Sequence, residues 1–268
     1  MHRIGSANWL SEGYAFDIPV ADDPKAVLAE ARNAAAGISA DINIVPIANR
    51  RKQLLIADMD STIVGCECID ELADQVGLKS KVAAITERAM RGELDFPAAL
   101  RERVALLKGL PLEALARVYA ERVRLNRGAR ALTSTMRANG AYTLLVSGGF
   151  TYFTRRVAED AGFSSHQGNR LVDDGRALTG AVEEPILGRE AKLAALESAV
   201  ERWSLTFADA LAVGDGANDL DMIKRAGLGV AYHAKPIVAA EARASIVHGD
   251  LYALLYLQGY REEEIRKN

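Results

Sequence analysis

The sequence predicts an α/β fold built on a parallel β-sheet, and the prediction rests on short apolar segments that end in polar clusters. Three such segments read as buried strands: 53–57, 142–146 and 210–214. Clusters rich in polar residues and glycine follow them at 58–62, 147–149 and 215–219. Because ligands bind beyond the carboxyl ends of the strands in open parallel sheets, we expect these clusters to meet in one pocket.

Residues 1–50 predict a small strand–helix–strand (βαβ) segment. Apolar residues alternate from Tyr14 to Val20, as in a strand. The Asp22-Asp23-Pro24 sequence is typical of a helix start and Gly37 of a helix end, and a second alternation begins at Ile42 and Ile44. Unpaired strand edges in so small a segment suit pairing with a second chain, so a homodimer is one expectation.

Residues 67–126 predict helices almost throughout, inserted directly after the first buried strand. Apolar residues recur at helical spacing in the stretches 69–76, 82–90 and 96–107, and Pro111 opens a further helix. Strand–helix alternation returns after residue 127, with a hairpin indicated at Asp174-Gly175 and short strands near 228–231 and 245–247. The chain therefore predicts a sheet domain interrupted by a helical insertion.

Composition narrows the class of protein. The formal net charge is −3 and the basic residues are dispersed, which argues against nucleic acid as a partner. No apolar run has the length needed to cross a bilayer, and the first residues lack the apolar core of a signal peptide, so we expect a cytoplasmic protein without a membrane partner. Cys66 and Cys68 are too few and too close for a disulfide framework, and nothing nearby completes a zinc site.

Asp58 and Asp60 are the first candidates for chemistry. One carboxylate could attack an electrophile while the other transfers a proton. The same pair could instead cap the following turn through hydrogen bonds to backbone N–H groups. The residues alone leave both interpretations open.

Three motifs in this order, Asp58-Met59-Asp60-Ser61-Thr62, Ser147-Gly148-Gly149 and Gly214-Asp215-Gly216-Ala217-Asn218-Asp219, resemble the haloacid dehalogenase (HAD) superfamily, and within it the phosphoserine phosphatase branch. The resemblance covers about residues 51–260. It implies a HAD-like doubly wound parallel sheet core over 51–268 with a helical cap inserted at 67–126. Residues 1–50 resemble part of the ferredoxin-like (ACT-like) regulatory module that precedes some members, in truncated form.

The resemblance also implies a mechanism. Asp58 would be the nucleophile that forms an aspartyl-phosphate, and Asp60 would be the general acid and base. Mg²⁺ would be the cofactor, held by the carboxylates of Asp58 and Asp215 and by the backbone carbonyl of Asp60. Asp219 would lie beside these ligands.

Phosphate binding is expected to involve Ser147, Gly148, Asn218 and one basic residue. A hydroxyl and a backbone N–H at the start of a helix suit a phosphate group. Arg189 and Lys192 both lie near the start of a predicted helix, and periodicity does not choose between them. The resemblance selects Lys192, which we expect to be catalytic.

Arg103 is the clearest residue-level clue to the substrate, because it lies in the apolar stripe of Phe96, Leu100 and Leu107. Such a charge needs an anionic partner, either an internal carboxylate or a substrate carboxylate. The resemblance places Arg103 and Glu67 on the headgroup of an amino acid and Met90 and Phe96 in the apolar wall. The expected reaction is Mg²⁺-dependent hydrolysis of O-phosphoserine to serine and phosphate. The alternatives are phosphoryl transfer to an alcohol such as homoserine, another small phosphate as substrate, and a non-catalytic regulatory binding protein.

Overall fold

The computed structural model describes residues 5–21, 23–90 (Met90 by its backbone alone) and 93–267. The strands in chain order are β1 (Asn8–Ser11), β2 (Ala15–Asp17), β3 (Leu54–Ala57), β4 (Tyr142–Phe150), β5 (Ser165–Asn169), β6 (Leu171–Asp173), β7 (Leu178–Val182), β8 (Ala210–Gly214), β9 (Leu228–Tyr232) and β10 (Ala244–Ile246). The α-helices are α1 (Pro24–Ala34), α2 (Cys68–Asp74), α3 (Lys79–Met90), α4 (Phe96–Ala105), α5 (Leu112–Arg122), α6 (Ala129–Ala138), α7 (Thr151–Ala161), α8 (Arg189–Arg202), α9 (Leu220–Arg225), α10 (Pro236–Glu241) and α11 (Ala253–Leu257).

The centre of the fold is a parallel sheet with strand order β10-β9-β8-β3-β4-β5, which confirms the predicted fold class. β3 is fully buried because both faces of the sheet are covered. Leu55 belongs to one apolar layer, while Leu54 and Ile56 belong to the layer on the opposite face. This alternation explains why the strand reads as a continuous apolar run.

The pairing register brings three strand ends to one level. Ala57, the last residue of β3, pairs with Leu145 of β4 and with Val213 of β8. The residues that follow in each strand therefore emerge side by side at the carboxyl edge of the sheet, which is where the candidate site lies.

Helices α2 to α5 lie between β3 and β4 in the chain, as the sequence predicts for a helical insertion. Two linkers join them to the sheet and run next to each other, with a bridge between Val64 and Leu125. Gly65 N donates to Arg124 O at 3.2 Å, and Asn126 N donates to Ile63 O at 2.8 Å. The antiparallel hairpin β6–β7 follows β5, in agreement with the Asp174-Gly175 pattern. None of the helices in the described part of the chain is long and apolar enough to span a membrane.

The N-terminal segment contains short strands and one helix, but in an order that differs from the expected βαβ pattern. β1 and β2 form an antiparallel hairpin ahead of α1, and residues 42–44 form no strand. The segment instead reaches the sheet edge through side chains. Asn43 Nδ2 donates to Ser245 O of β10 at 3.0 Å, and Asn43 Oδ1 accepts from Ser245 N at 2.8 Å. The side-chain amide of Asn43 thus occupies backbone groups that a further strand would have used.

Candidate active site

The loop after β3 encloses Asp58, which is 6% exposed. Asp58 N extends the sheet by donating to Val213 O at 3.0 Å. Asp58 Oδ1 accepts from Met59 N at 2.8 Å and lies 2.7 Å from Lys192 Nζ. Asp58 Oδ2 accepts no hydrogen bond within the described part of the chain. One carboxylate oxygen is therefore fixed, and the other has no partner among these residues.

A wide turn over Met59–Ile63 leads away from Asp58. Val64 N closes the turn by donating to Met59 O at 3.0 Å, and Ser61 has left-handed backbone geometry with φ of 56°. Residues other than glycine seldom adopt this geometry, so the turn depends on local bonds that hold it. Ser61 Oγ supplies one of them by donating to Glu67 Oε1 at 2.7 Å.

Asp60 connects this turn to two other elements. Its Oδ1 accepts from Cys68 N, the first residue of α2, at 3.0 Å. Its Oδ2 accepts from Ser147 Oγ at 3.2 Å. Burial, followed by the negative charge of Glu67, raises the pKa of Asp60 to about 6. Asp60 therefore bonds the first N–H group of α2 and not the turn directly after it, and its pKa is that of a group that can exchange protons near neutral pH.

Lys192 is the buried cation of the site. It is 1% exposed, and its Nζ lies 2.7 Å from Asp58 Oδ1 and 2.6 Å from Asp219 Oδ1. Burial alone would lower the pKa of Lys192, but the carboxylates of Asp219 and Asp58 outweigh burial and raise it. Arg189 instead makes a bidentate ion pair with Asp221 at the surface. The distance is 2.5 Å from Nε to Oδ2 and 2.6 Å from Nη2 to Oδ1. The structure thus separates two basic residues that periodicity left equivalent.

Asp215 and Asp219 follow β8. Asp215 Oδ1 accepts from Thr62 Oγ1 at 3.1 Å. Asp219 is fully buried, and its Oδ2 accepts from Gly216 N at 3.0 Å. Gly214 is required by this packing, because a Cβ atom there would lie 2.4 Å from Asp219 Cγ. Burial, then the charge of Asp219, raises the pKa of Asp215 to about 6, while burial and Asp219 raise the pKa of Asp58 well above its ordinary value.

The carboxylates of Asp58, Asp215 and Asp219 offer oxygen atoms that all lie within 4.8 Å of one another. Lys192 supplies one positive charge against their three negative charges. Both oxygens of Asp219 are occupied by Lys192 and Gly216, whereas Asp58 and Asp215 each keep one oxygen that accepts no hydrogen bond from a described residue. The excess negative charge and the hard oxygen donors fit a divalent cation such as Mg²⁺.

The end of β4 forms a compact polar bend. Ser147 is buried, and its Oγ accepts from Gly149 N at 2.8 Å. Helix α7 begins at Thr151, so the segment Ser147-Gly148-Gly149 leads into a helix. Asn218 lies half-buried in the turn after Gly216, on the neighbouring strand end.

Helix α4 brings Phe96 against this bend. A Cβ atom on Gly148 would lie 2.9 Å from Phe96 Cζ, so the aromatic ring rests on the backbone of Gly148. Arg103 is seven residues farther along the same helix and hence on the same face, about 10 Å away along the axis. The side chain of Met90 lies outside the described residues.

Arg103 is partly buried, and its Nε donates to Ala99 O at 3.2 Å. Burial lowers the pKa of Arg103, and the charges of Asp70 and Glu67 oppose that shift without making an ion pair with it in the described part of the chain. The charge of Glu67 is also felt by Asp60 and Asp215. The charge of Glu67 thus acts on groups of both the sheet edge and the insertion.

Two residues near the site were not singled out from the sequence. Thr62 was not singled out although it belongs to the first motif. It is fully buried, and its hydroxyl donates to Asp215. Asn169, which is 2% exposed, donates to Gly148 O at 2.8 Å. Asn169 ends β5, the neighbour of β4, so the rule that polar residues at strand ends form sites could have identified it.

Comparison with known proteins gives consistent results. The family model for haloacid dehalogenase-like hydrolases matches residues 55–224. A phosphoserine phosphatase of Archaeoglobus fulgidus is 43% identical over 225 residues, covering 83% of this chain and 65% of that protein. A phosphoserine phosphatase of Streptococcus thermophilus is 47% identical over 205 residues, covering 76% of this chain and 94% of that protein.

A solved structure described as a phospho-aspartyl intermediate analogue of phosphoserine phosphatase superposes with a TM-score of 0.71 at 40% identity. The alignment covers 77% of this chain and 98% of that chain. The matched family segment spans more than half of the sequence and includes the strand ends that carry the buried carboxylates. The chain therefore belongs to the haloacid dehalogenase-like hydrolase family.

Proposed function

We propose that this protein is a Mg²⁺-dependent phosphatase that converts O-phosphoserine to serine and inorganic phosphate through an aspartyl-phosphate. The observation that carries the proposal is the state of Asp58, with one oxygen held by Lys192 and the other without a partner among the described residues. The similarity to curated phosphoserine phosphatases supports the same reaction.

In the first step, a carboxylate oxygen of Asp58 attacks phosphorus and the bond from phosphorus to the serine oxygen breaks. Asp60 donates its proton to the departing oxygen, since its carboxyl lies beside Ser147 at the same edge of the sheet. In the second step, Asp60 accepts a proton from water as the water oxygen attacks phosphorus. The bond to Asp58 then breaks, and inorganic phosphate leaves.

Mg²⁺ would be held by the carboxylates of Asp58 and Asp215 and by the backbone carbonyl of Asp60. When bound, it supplies positive charge that offsets the repulsion between the carboxylates and the phosphate dianion. Lys192 provides a second positive charge at Asp58, and Asp219 fixes the position of the Lys192 ammonium. Ser147, Gly148 and Asn218 would donate hydrogen bonds to the phosphoryl oxygens.

Recognition of the serine headgroup falls to the helical insertion, for which we propose the bounds 67–126 and the role of a cap. Arg103 would bind the carboxylate through its planar guanidinium, and Glu67 would bind the ammonium. Phe96 and Met90 would form the apolar wall. Closure of such a cap excludes water and strengthens these electrostatic contacts.

A phosphate-release assay with Mg²⁺ on a panel of small phosphate esters tests the proposal. We expect O-phosphoserine to have the highest kcat/KM in the panel, ahead of phosphoethanolamine and sugar phosphates. Equal rates across the panel would contradict the assignment of the headgroup contacts. Product analysis with and without homoserine tests phosphoryl transfer, and we expect no phosphohomoserine. The cytoplasmic location and the homodimer remain predictions of the sequence.

A further inference from the structure

Asn169 is a buried polar residue whose side-chain amide makes all of its hydrogen bonds to backbone groups of two different segments. Its Nδ2 donates to Gly148 O at 2.8 Å and to Leu187 O at 3.1 Å, and its Oδ1 accepts from Leu187 N at 2.7 Å. Burial of an amide at 2% exposure is costly unless its groups are bonded, and here both N–H groups and the oxygen are. Asn169 therefore ties the end of β4 to the segment before α8.

On the β4 side, Asn169 holds one peptide unit whose opposite end reaches the proposed catalytic groups. The C=O group of the peptide between Gly148 and Gly149 is bonded to Asn169, and its N–H group donates to Ser147 Oγ at 2.8 Å. In a trans peptide these two groups point in opposite directions, so a bond at each end fixes the rotation of the plane. Ser147 Oγ in turn donates to Asp60 Oδ2 at 3.2 Å.

On the α8 side, Asn169 bonds both backbone groups of Leu187, as a neighbouring strand would. Gly188 follows and is the residue that precedes α8, the helix that carries Lys192. The Phe96 ring rests on Gly188 as well as on Gly148, since a Cβ atom on Gly188 would lie 3.1 Å from Phe96 Cδ1. The Phe96 ring therefore packs against both backbone segments that Asn169 joins, one at Gly148 and the other at Gly188.

We propose that Asn169 is a positioning residue for phosphoryl transfer, and this inference rests on the proposed function. Asn169 orients the Gly148–Gly149 peptide, which orients the Ser147 hydroxyl that contacts Asp60. It also keeps this bend in register with the start of α8 and hence with Lys192. Asn169 itself does not contact the substrate.

The test compares Asn169→Ala and Asn169→Asp with the same changes at Asn43. Asn43 is a matched control, because its amide makes the same paired contact with the N–H and C=O groups of one residue, Ser245, at the far edge of the sheet. Asn169→Asp keeps the shape and the acceptor but replaces the N–H donors with an oxygen facing two carbonyls. The readouts are kcat, KM, the inhibition constants of inorganic phosphate and of free serine, and Tm.

We expect the Asn169 variants to lose about tenfold or more in kcat for phosphoserine, as the loss of hydrogen bonds that orient a catalytic group would produce. The inhibition constant of inorganic phosphate should rise several-fold, and that of serine should change less than about twofold, since the headgroup contacts are elsewhere. Both constants are independent of the fraction of enzyme that is folded, so partial misfolding does not imitate this pattern. The Asn43 variants should keep kcat and both constants while their Tm falls.

Equal rises in the two inhibition constants, or kcat losses shared by the Asn43 variants, would show that Asn169 acts through general stability and would overturn the inference. The same variants are assayed with p-nitrophenyl phosphate, which has no amino-acid headgroup. Wild-type activity on that ester without activity on phosphoserine would refute the proposed substrate, and the Asn169 effect on the ester would still decide this inference. If neither ester reacts, an unchanged affinity of the Asn169 variants for inorganic phosphate with Mg²⁺, measured by calorimetry, would overturn it.

Discussion

The sheet edge and the helical insertion differ in how their buried basic side chains are paired. At the sheet edge, Lys192 is buried and in contact with Asp58 and Asp219. In the insertion, Arg103 is partly buried but bonds a single backbone carbonyl and makes no ion pair in the described part of the chain. The cation at the sheet edge is directly paired, whereas Arg103 has the carboxylates of Asp70 and Glu67 nearby without an ion pair among the described residues.

This contrast follows from the cost of burying charge. A buried ion must be paired or it destabilises the fold, which Lys192 avoids through two carboxylates. Groups fixed in advance also need no reorganisation during the reaction, which favours the transition state. For Arg103, in contrast, the proposed partner is the carboxylate of the substrate. We therefore expect reaction chemistry to depend on the sheet edge for every substrate, and selectivity to depend on the insertion.

The largest effect is expected for Asp58→Asn, which tests the sheet-edge side of the contrast. The amide has nearly the same shape but is a poor nucleophile and a weaker metal ligand, so kcat should fall roughly a thousandfold or more. The loss should be similar for phosphoserine and phosphoethanolamine, measured as released phosphate. The far-ultraviolet circular dichroism spectrum should be unchanged, and retention of more than a few per cent of activity would exclude Asp58 as the nucleophile.

The next effect tests the proposed contact between Arg103 and the carboxylate of the substrate. Arg103→Ala should lower kcat/KM for phosphoserine by about a hundredfold, because charge-assisted hydrogen bonds to the substrate carboxylate are lost. Phosphoethanolamine has no carboxylate, so its kcat/KM should hardly change. Arg103→Lys should recover part of the loss, since an ammonium cannot reproduce the planar fork.

Arg101→Ala is the matched control for Arg103, since Arg101 lies on the same helix but pairs with Glu184 at the surface at 2.6 Å. The Arg101→Ala variant should keep the wild-type kcat/KM for both phosphoserine and phosphoethanolamine. Equal losses for the two substrates in Arg103→Ala would identify Arg103 as a structural residue of the insertion and remove the contrast.

A smaller effect is expected for Glu67→Gln, which removes one negative charge from the same end of the pocket. The kcat/KM for phosphoserine should fall about tenfold, because the ammonium loses a charged acceptor. The compound 3-phosphoglycerate has a hydroxyl in place of the ammonium, and its kcat/KM should fall less or rise. An unchanged ratio between these two substrates would show that Glu67 only supports the turn through Ser61.

The smallest effect is thermal and tests the excess negative charge at the sheet edge. Burial and neighbouring carboxylates raise the pKa of Asp60 and of Asp215 to about 6, from an ordinary value of 3.8. In metal-free protein these groups favour the folded state while protonated, and that contribution is lost as the pH rises from about 4 through about 6.

Mg²⁺ should therefore raise Tm more at about pH 7.5 than at about pH 5. Each kcal/mol by which Mg²⁺ stabilises the fold more at the higher pH corresponds to about 2–4 °C in Tm. Thermal melts with EDTA and with Mg²⁺ at the two pH values measure this, and EDTA should also abolish phosphate release. A rise in Tm that is independent of pH would contradict the charge imbalance at the sheet edge.

The sequence predicted the sheet well because strand burial leaves a strong local pattern. Leu54–Ala57 and Ala210–Gly214 are apolar throughout, and both are central strands with neighbours on either side. The alternation of apolar residues at Ile42 and Ile44 also predicted a strand, yet the structure has no strand there. The neighbouring side chains bond other groups instead: Asn43 bonds Ser245 of β10, and Asp41 bonds backbone N–H groups of the loop that follows β10. The periodicity of apolar residues carries no information on these bonds.

The amino-acid sequence by itself determined the α/β class, the helical insertion and the set of polar residues at the strand ends, because each depends on the order of residues along one strand or helix. Periodicity left Lys192 and Arg189 equivalent, and the tertiary structure decided that Lys192, which the family resemblance had selected, joins the buried carboxylates. The tertiary structure also decided that Asn169 supports the Ser147 bend. Both decisions depend on distances between segments far apart in the chain. Local patterns do not encode those distances; the packing of the two apolar layers on the sheet sets them.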